Sequence, residues 1–166
     1  MDRGCVWGLV VAGVLLAGCG LGTTQQAQSW PVGFVDRSVL SEPGYEAFAA
    51  GYDSARVDAQ MTEFISMVRD DAEVFIFFGA WCGDSKREIP RFLKIADRAG
   101  FPASAVKLYS LDRSKKSPDG LTEQYRIERV PTFIFMRQGG EIGRIVEAPS
   151  ASLEQDMVAI LAPRRD

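Results

Sequence analysis

The chain contains no histidine. That absence removes Ser-His-Asp and Cys-His catalysis, the zincin helix and every histidine-ligated metal site in one step. It has no long basic run, and its net charge is −3, so nothing in it favours nucleic acid. It has no internal repeat. Its longest apolar stretch, Cys5 to Ala17, spans 13 residues, enough for the core of an export signal and short for a membrane-spanning helix. Cysteine is scarce: Cys5, Cys19 and Cys82 are the whole supply. What remains, 166 residues that are 46% hydrophobic and 25% charged, suits one globular domain with a real core.

The first segment is MDRGCVWGLVVAGVLLAGCG. Arg3 is offset by Asp2, so the charged start of the signal is weak. The apolar stretch ends in Leu16-Ala17-Gly18-Cys19, which resembles the lipobox of bacterial lipoproteins. The resemblance implies cleavage before Cys19 and acylation of that residue, and several acyl chains on one residue anchor stably. An uncleaved anchor and an ordinary secretory signal are the competing readings. Gly20 rather than an aspartate follows Cys19. By resemblance to sorting in Gram-negative bacteria, this points to the outer membrane, with the domain facing the periplasm. The expected organisation is a signal at 1–18, a lipid-anchored tether and lead-in at 19–43, and the folded domain at 44–166. On that scheme Cys82 is the one free thiol of the mature chain. A lone thiol in an oxidising compartment is either inert through burial or kept for exchange.

Along the domain, GYEAFAAGYD predicts a short helix. Val57, Met61, Phe64, Ile65 and Val68 form a helical stripe. EVFIFFG is a continuous apolar, β-branched and aromatic run, as expected for a strand buried on both faces. After AWCGD, the residues Ile89, Phe92, Leu93 and Ala96 space a helix that Gly100 ends, with Pro90 expected to kink it. AVKLYSLD predicts a second strand and completes a βαβ unit. LTEQYRI predicts a short helix, VPTFIFMR and IGRIVE a hairpin across QGGE, and SASLEQDMVAIL a closing amphipathic helix.

Particular residues sit at the joints of this order. Trp81-Cys82 stands where the first strand meets its helix, Lys86 and Pro90 follow, Val130-Pro131-Thr132 precedes a strand, and Gly140-Glu141 turns the hairpin. With these pieces in register, the chain from about Val57 to Leu161 resembles the thioredoxin superfamily. WCGDSKREIP is most similar to a group of bacterial thioredoxin-like proteins with a WCGDS or WCGDC loop. The resemblance implies an α/β thioredoxin-like fold, a central mixed β-sheet flanked by helices. It also implies thiol–disulfide oxidoreductase chemistry without a cofactor or a metal.

Each site residue then has an expected job. Cys82 is the nucleophile, placed where a helix N-terminus favours a negative sulfur. Lys86 and Arg87 favour the thiolate and Asp84 opposes it, or else these charges simply face solvent. Ser85 stands where a dithiol protein carries its second cysteine, and its hydroxyl is available to donate to the thiolate. Trp81, Gly83 and Asp84 border the groove. Pro131 resembles the family's cis-proline, which exposes the Val130 backbone for strand-like pairing with a client, next to Thr132. Glu147 falls where thioredoxins usually have a glycine. Its carboxylate either borders the groove or ends a solvent-facing strand. Dithiol thioredoxins also carry a buried acid and a lysine partner, and the matching places here are Ile76 and Leu108.

With Ser85 in place of a cysteine, attack is possible and internal release is not. The expected function is an envelope-anchored monothiol exchange protein. Cys82 attacks protein or small-molecule disulfides, and an outside thiol completes the reaction. A non-catalytic binding or scaffold module on the same fold is the alternative. Iron–sulfur binding between two chains, as in monothiol glutaredoxins with a Cys-Gly-x-Ser site, fits the string CGDS, but Trp81 and the export signal argue against it.

Overall fold

A computed structural model describes residues 30–163. The signal segment, Cys19 and the start of the tether lie outside the described residues. Five strands form one mixed sheet: β1 (Gly33–Val35), β2 (Ala72–Phe78), β3 (Val106–Ser110), β4 (Thr132–Arg137) and β5 (Gly140–Val146), in the spatial order β1-β3-β2-β4-β5. β2 runs parallel to β3 and antiparallel to β4, and β4 and β5 form an antiparallel hairpin. Around the sheet stand α1 (Glu46–Ser54), α2 (Ala59–Val68), α3 (Gly83–Arg98), α4 (Leu121–Gln124) and α5 (Leu153–Leu161). This is the expected fold, a central mixed sheet with flanking helices.

Local chemistry starts and stops these elements. Asp58 caps α2 by accepting from Met61 N–H, and Ser152 caps α5 by accepting from Gln155 N–H, each satisfying one otherwise unpaired donor of the first turn. α3 runs through Pro90 as one helix from 83 to 98. α1 lies close against it there: a Cβ on Gly51 would come within 2.9 Å of Pro90 Cγ, so this crossing requires glycine.

β2 alternates between two cores, as the period of two in a strand demands. Val74, Ile76 and Phe78 enter the larger one with side chains from α1, α2, α3 and α5. Phe77 enters the smaller one with Tyr109, Leu111, Ile127, Val130 and Ile134, and Trp81 and Cys82 pack against that cluster. Fully burying a phenylalanine or isoleucine of this kind contributes about 1.5–3 kcal/mol.

The boundary at residue 43 needs correction. Gly33–Val35 pairs antiparallel with β3, placing Val35 opposite Leu108, and a 3-10 turn at Arg37–Ser41 buries Leu40 in the larger core. The fold therefore begins in what the sequence marked as lead-in. A strand of three residues is too short to display alternation, and its Phe34 is 54% exposed.

Candidate functional site

The site forms where β2 gives way to α3. The backbone turns sharply after Gly79, with Cys82 N–H donating to Gly79 C=O at 2.9 Å. Cys82 occupies the N-cap position of the 16-residue α3 in an extended conformation, and Lys86 N–H donates to its carbonyl at 3.1 Å. No side chain caps this end, so the thiol sits at the positive end of the helix dipole. It is half-buried and unpaired with any other sulfur among the described residues. Its Sγ donates to Val130 C=O at 3.2 Å.

That contact ties the two halves of the expected site together. The Val130–Pro131 peptide is cis, and Thr132 Oγ1 donates to Arg129 C=O at 2.7 Å, closing the turn before β4. Trp81 is held by its indole N–H, which donates to Leu111 C=O at 3.0 Å, and it borders the thiol half-exposed. Gly83 is exposed and opens α3 beside the sulfur. The structure thus brings Trp81, Cys82, Gly83, Val130, Pro131 and Thr132 into one place.

Ser85 differs from expectation in its partner. It is completely buried, and its Oγ accepts from Gly79 N–H at 3.4 Å, while the thiol turns to Val130. The serine lies on the inner side of the first turn and braces the strand-to-helix corner. Ile76 and Leu108 face each other in register across β2 and β3 at 0% and 3% exposure. The positions where a dithiol relative carries its acid and lysine are apolar here.

The charged rim is paired. Asp84 accepts from Arg87 at 2.7 Å; Arg87 also donates to Glu88 at 2.6 Å, and Arg91 donates to Glu88 at 3.1 Å. Hydrogen bonds to Glu88 first, and then to Asp84, hold the Arg87 proton more firmly than usual. Glu88 is 2% exposed, an acid buried on α3 between two guanidiniums. Nothing in the sequence pattern set it apart from a surface glutamate.

Glu147 does stand beside the cis-proline. Its N–H donates to Pro131 C=O at 2.7 Å. Its φ is +61°, the left-handed region where a side chain is unfavourable and glycine is the usual occupant. Its carboxylate accepts from Arg129 at 2.8 Å. Arg129 is a rim residue the sequence reading missed, and only its adjacency to Val130 could have signalled it. Arg113 is another: its guanidinium lies 5.1 Å over the Trp81 ring. Tyr109 lies in the smaller core under Trp81 and Cys82. Burial first, and then the hydrogen bond it donates to Asp119, push its phenol up to about 12. It stays protonated in the physiological range. No cluster among the described residues is suited to hold a metal ion.

A family model described as thioredoxin matches residues 55–159. The chain belongs to the thioredoxin family. It is 30% identical over 103 residues to an H-type thioredoxin of Oryza sativa, covering 61% of this chain and 76% of that one. It is 27% identical over 109 residues to the mitochondrial thioredoxin-3 of Saccharomyces cerevisiae, covering 65% and 81% respectively. A solved structure of a Pseudomonas aeruginosa protein of unknown function shares the fold, with a TM-score of 0.53 at 17% identity over 70% of this chain and 82% of that chain. Thiol–disulfide redox chemistry is the activity that this membership supports.

Proposed function

We propose that the protein is a monothiol member of its family, in which Cys82 performs exchange alone. The observation that carries this reading is the asymmetry at the start of α3. A half-exposed sulfur stands at the helix terminus, while the position three residues on is a buried serine hydroxyl already engaged by Gly79. The step balances simply. The Cys82 thiolate attacks one sulfur of a client disulfide, a Cys82–client S–S bond forms, the client S–S bond breaks, and the departing thiolate takes up a proton. Cys82 is oxidised to the mixed disulfide and one client sulfur is reduced. An outside thiol then attacks the mixed disulfide, releasing the client and restoring Cys82. Val130 offers its backbone to an extended client segment.

Intact-mass spectrometry tests the reading. The purified protein is mixed with excess hydroxyethyl disulfide and quenched with acid. In a chain whose Cys5 and Cys19 are replaced by alanine, one adduct on Cys82 is expected, stable until a small thiol is added and missing when Cys82→Ala is also made. A Cys82 that forms no adduct overturns the exchange reading and leaves a scaffold as the role of the fold.

The lipoprotein-like sequence at Leu16–Cys19 supports a second proposal, anchorage of this domain in a bacterial envelope, at the outer membrane and facing the periplasm. Labelled palmitate incorporation that disappears in Cys19→Ala is the expected result, and unlabelled wild-type protein overturns it.

A further inference from the structure

Exposed guanidinium groups stand on both sides of the site, each beside residues that form it. The chain as a whole has a net charge of −3. Arg113 is exposed and its guanidinium lies 5.1 Å over the ring of Trp81, the residue immediately before Cys82. Among the described residues it forms no ion pair, and the neighbouring carboxylate of Asp112 turns back to accept from Ser114 N–H at 2.8 Å and Ser114 Oγ at 2.6 Å. Arg129 immediately precedes Val130, whose carbonyl holds the thiol. Its side chain is 64% exposed, and one nitrogen is engaged by Glu147. Asp84 is paired with Arg87 and Glu147 with Arg129, while the exposed Glu128 lies beside Arg129 and adds its negative field there. Arg113 thus offers a client a guanidinium with no ion pair of its own, and Arg129 offers the nitrogens that Glu147 leaves open.

We infer that the groove selects disulfides bearing a carboxylate close to the sulfur, read by Arg113 on the Trp81 side and Arg129 on the Val130 side. This rests on the exchange reading above and supplies its substrate class. Guanidinium suits the task. Its planar fork of donors matches a carboxylate geometrically, and stacking on an indole fixes one face while leaving the edge N–H groups free to donate. Glu147 contributes by holding Arg129 beside the groove. Its backbone is bonded to Pro131 and its carboxylate to the guanidinium, so the arginine side chain is tied to the cis-proline turn. The carboxylate has two sources with the same chemistry, a small acidic thiol or an Asp or Glu flanking a client cysteine.

The test measures the rate of mixed-disulfide formation on Cys82 with three small probes: dithiodipropionate, hydroxyethyl disulfide and cystamine. Two peptide disulfides that differ only in Asp or Lys beside the cysteine form a second arm. Each rate is divided by that of the same disulfide with a free small thiol, which removes intrinsic reactivity. The anionic probe should exceed the cationic one by roughly tenfold at low salt, and the ratio should shrink in concentrated salt. Arg113→Gln and Arg129→Gln should each lower the ratio severalfold, and Arg113→Lys should restore part of it. Lys107→Gln, which removes a cation at the other end of β3, should keep it. A preference in the peptide arm alone assigns the carboxylate to protein clients, and one in both arms admits small thiols. Equal normalised rates for both charges, or a ratio that both glutamine variants leave intact, overturns the inference. If Cys82 reacts with none of the probes, it is the exchange reading that has failed, and the charge preference falls with it.

Discussion

On the inner face of the sheet against which α3 packs, Ile76 and Leu108 meet across β2 and β3, and no water reaches Ile76, Phe78 or Ile89. On the outer side of the site, Arg87 pairs with Asp84, Arg129 pairs with Glu147 and Arg113 lies over the Trp81 ring. The floor is apolar and the rim is ionic. In a dithiol relative the floor has work to do, because a buried second thiol must lose its proton before it attacks. Here the floor holds no free base among the described residues. Ser85 is engaged by Gly79, Glu88 is locked between two arginines, and Tyr109 keeps its proton up to about 12. On the proposed exchange reading, chemistry is left to the rim, where the half-buried Cys82 sits.

The largest break in this contrast comes from putting charge into the floor. Ile76→Asp should lower stability at neutral pH by roughly 3–5 kcal/mol, because a buried carboxylate would lack a partner. Burial raises the folded-state pKa of such an acid, so the deficit should be smallest near pH 4, where the lost packing of Ile76 remains, and grow as pH rises. Urea unfolding at both pH values checks it. A loss under about 1 kcal/mol at neutral pH would mean that the floor is wetter or better paired than the packing of β2 against α3 implies.

Restoring the second thiol tests the same contrast kinetically. Ser85→Cys should shorten the life of the Cys82 adduct by roughly tenfold or more, since an attack from within the same turn replaces a bimolecular one. With Ile76 and Leu108 unchanged beneath it, release should accelerate steadily with pH. The time course of adduct mass after removal of excess disulfide measures this. An adduct as long-lived as in the wild type would show that the buried position cannot reach the sulfur at all.

Long, strongly patterned elements were legible in the sequence. β2 announced itself through an unbroken apolar run, α3 through its stripe from Ile89 to Ala96, and the site through residues fixed to the ends of those elements. The pairing of Ile76 with Leu108 followed from the parallel register of β2 and β3. What escaped was set by contacts distant in sequence. Phe34 earns no pattern from three residues, yet it packs on Tyr109 and Phe75. Glu147 was marked by its position, but its partner Arg129 lies 18 residues away and is fixed by the hairpin. Ser85 was expected to serve the sulfur because a hydroxyl three residues on can reach it. Its oxygen instead accepts from the Gly79 N–H at the inner side of the corner, while the sulfur turns to Val130.

The rim can be altered with less effect on the fold. Glu147→Gly removes a side chain from a left-handed backbone position, relieving about 1 kcal/mol, partly offset by the greater freedom glycine gives the unfolded chain. Thermal unfolding should therefore show a stability equal to or slightly above that of the wild type, while Arg129 loses its tether. A clear destabilisation would mean that the Arg129 pair contributes more to the fold than an exposed ion pair usually does.

The smallest effect is expected at an ion pair remote from the site. Arg37 donates two hydrogen bonds of 2.6 Å to Asp97, and Tyr52 O–H donates a third at 2.7 Å, pinning the N-terminal turn onto the end of α3. The Arg37 guanidinium, assisted by Tyr52 and opposed by burial, holds the Asp97 carboxyl below the usual carboxylate range. A depressed folded-state pKa contributes stability above the unfolded value, and that contribution fades as pH falls through the folded one. Asp97→Asn should therefore be less stable than the wild type at neutral pH by under about 1 kcal/mol, given the exposure of the pair. The two proteins should converge below about pH 4. The rate of Cys82 adduct formation should not change, because the pair touches neither the floor nor the rim. A changed rate would mean that the N-terminal turn is coupled through α3 to the thiol at its other end, and the division into floor and rim would have to include the whole helix.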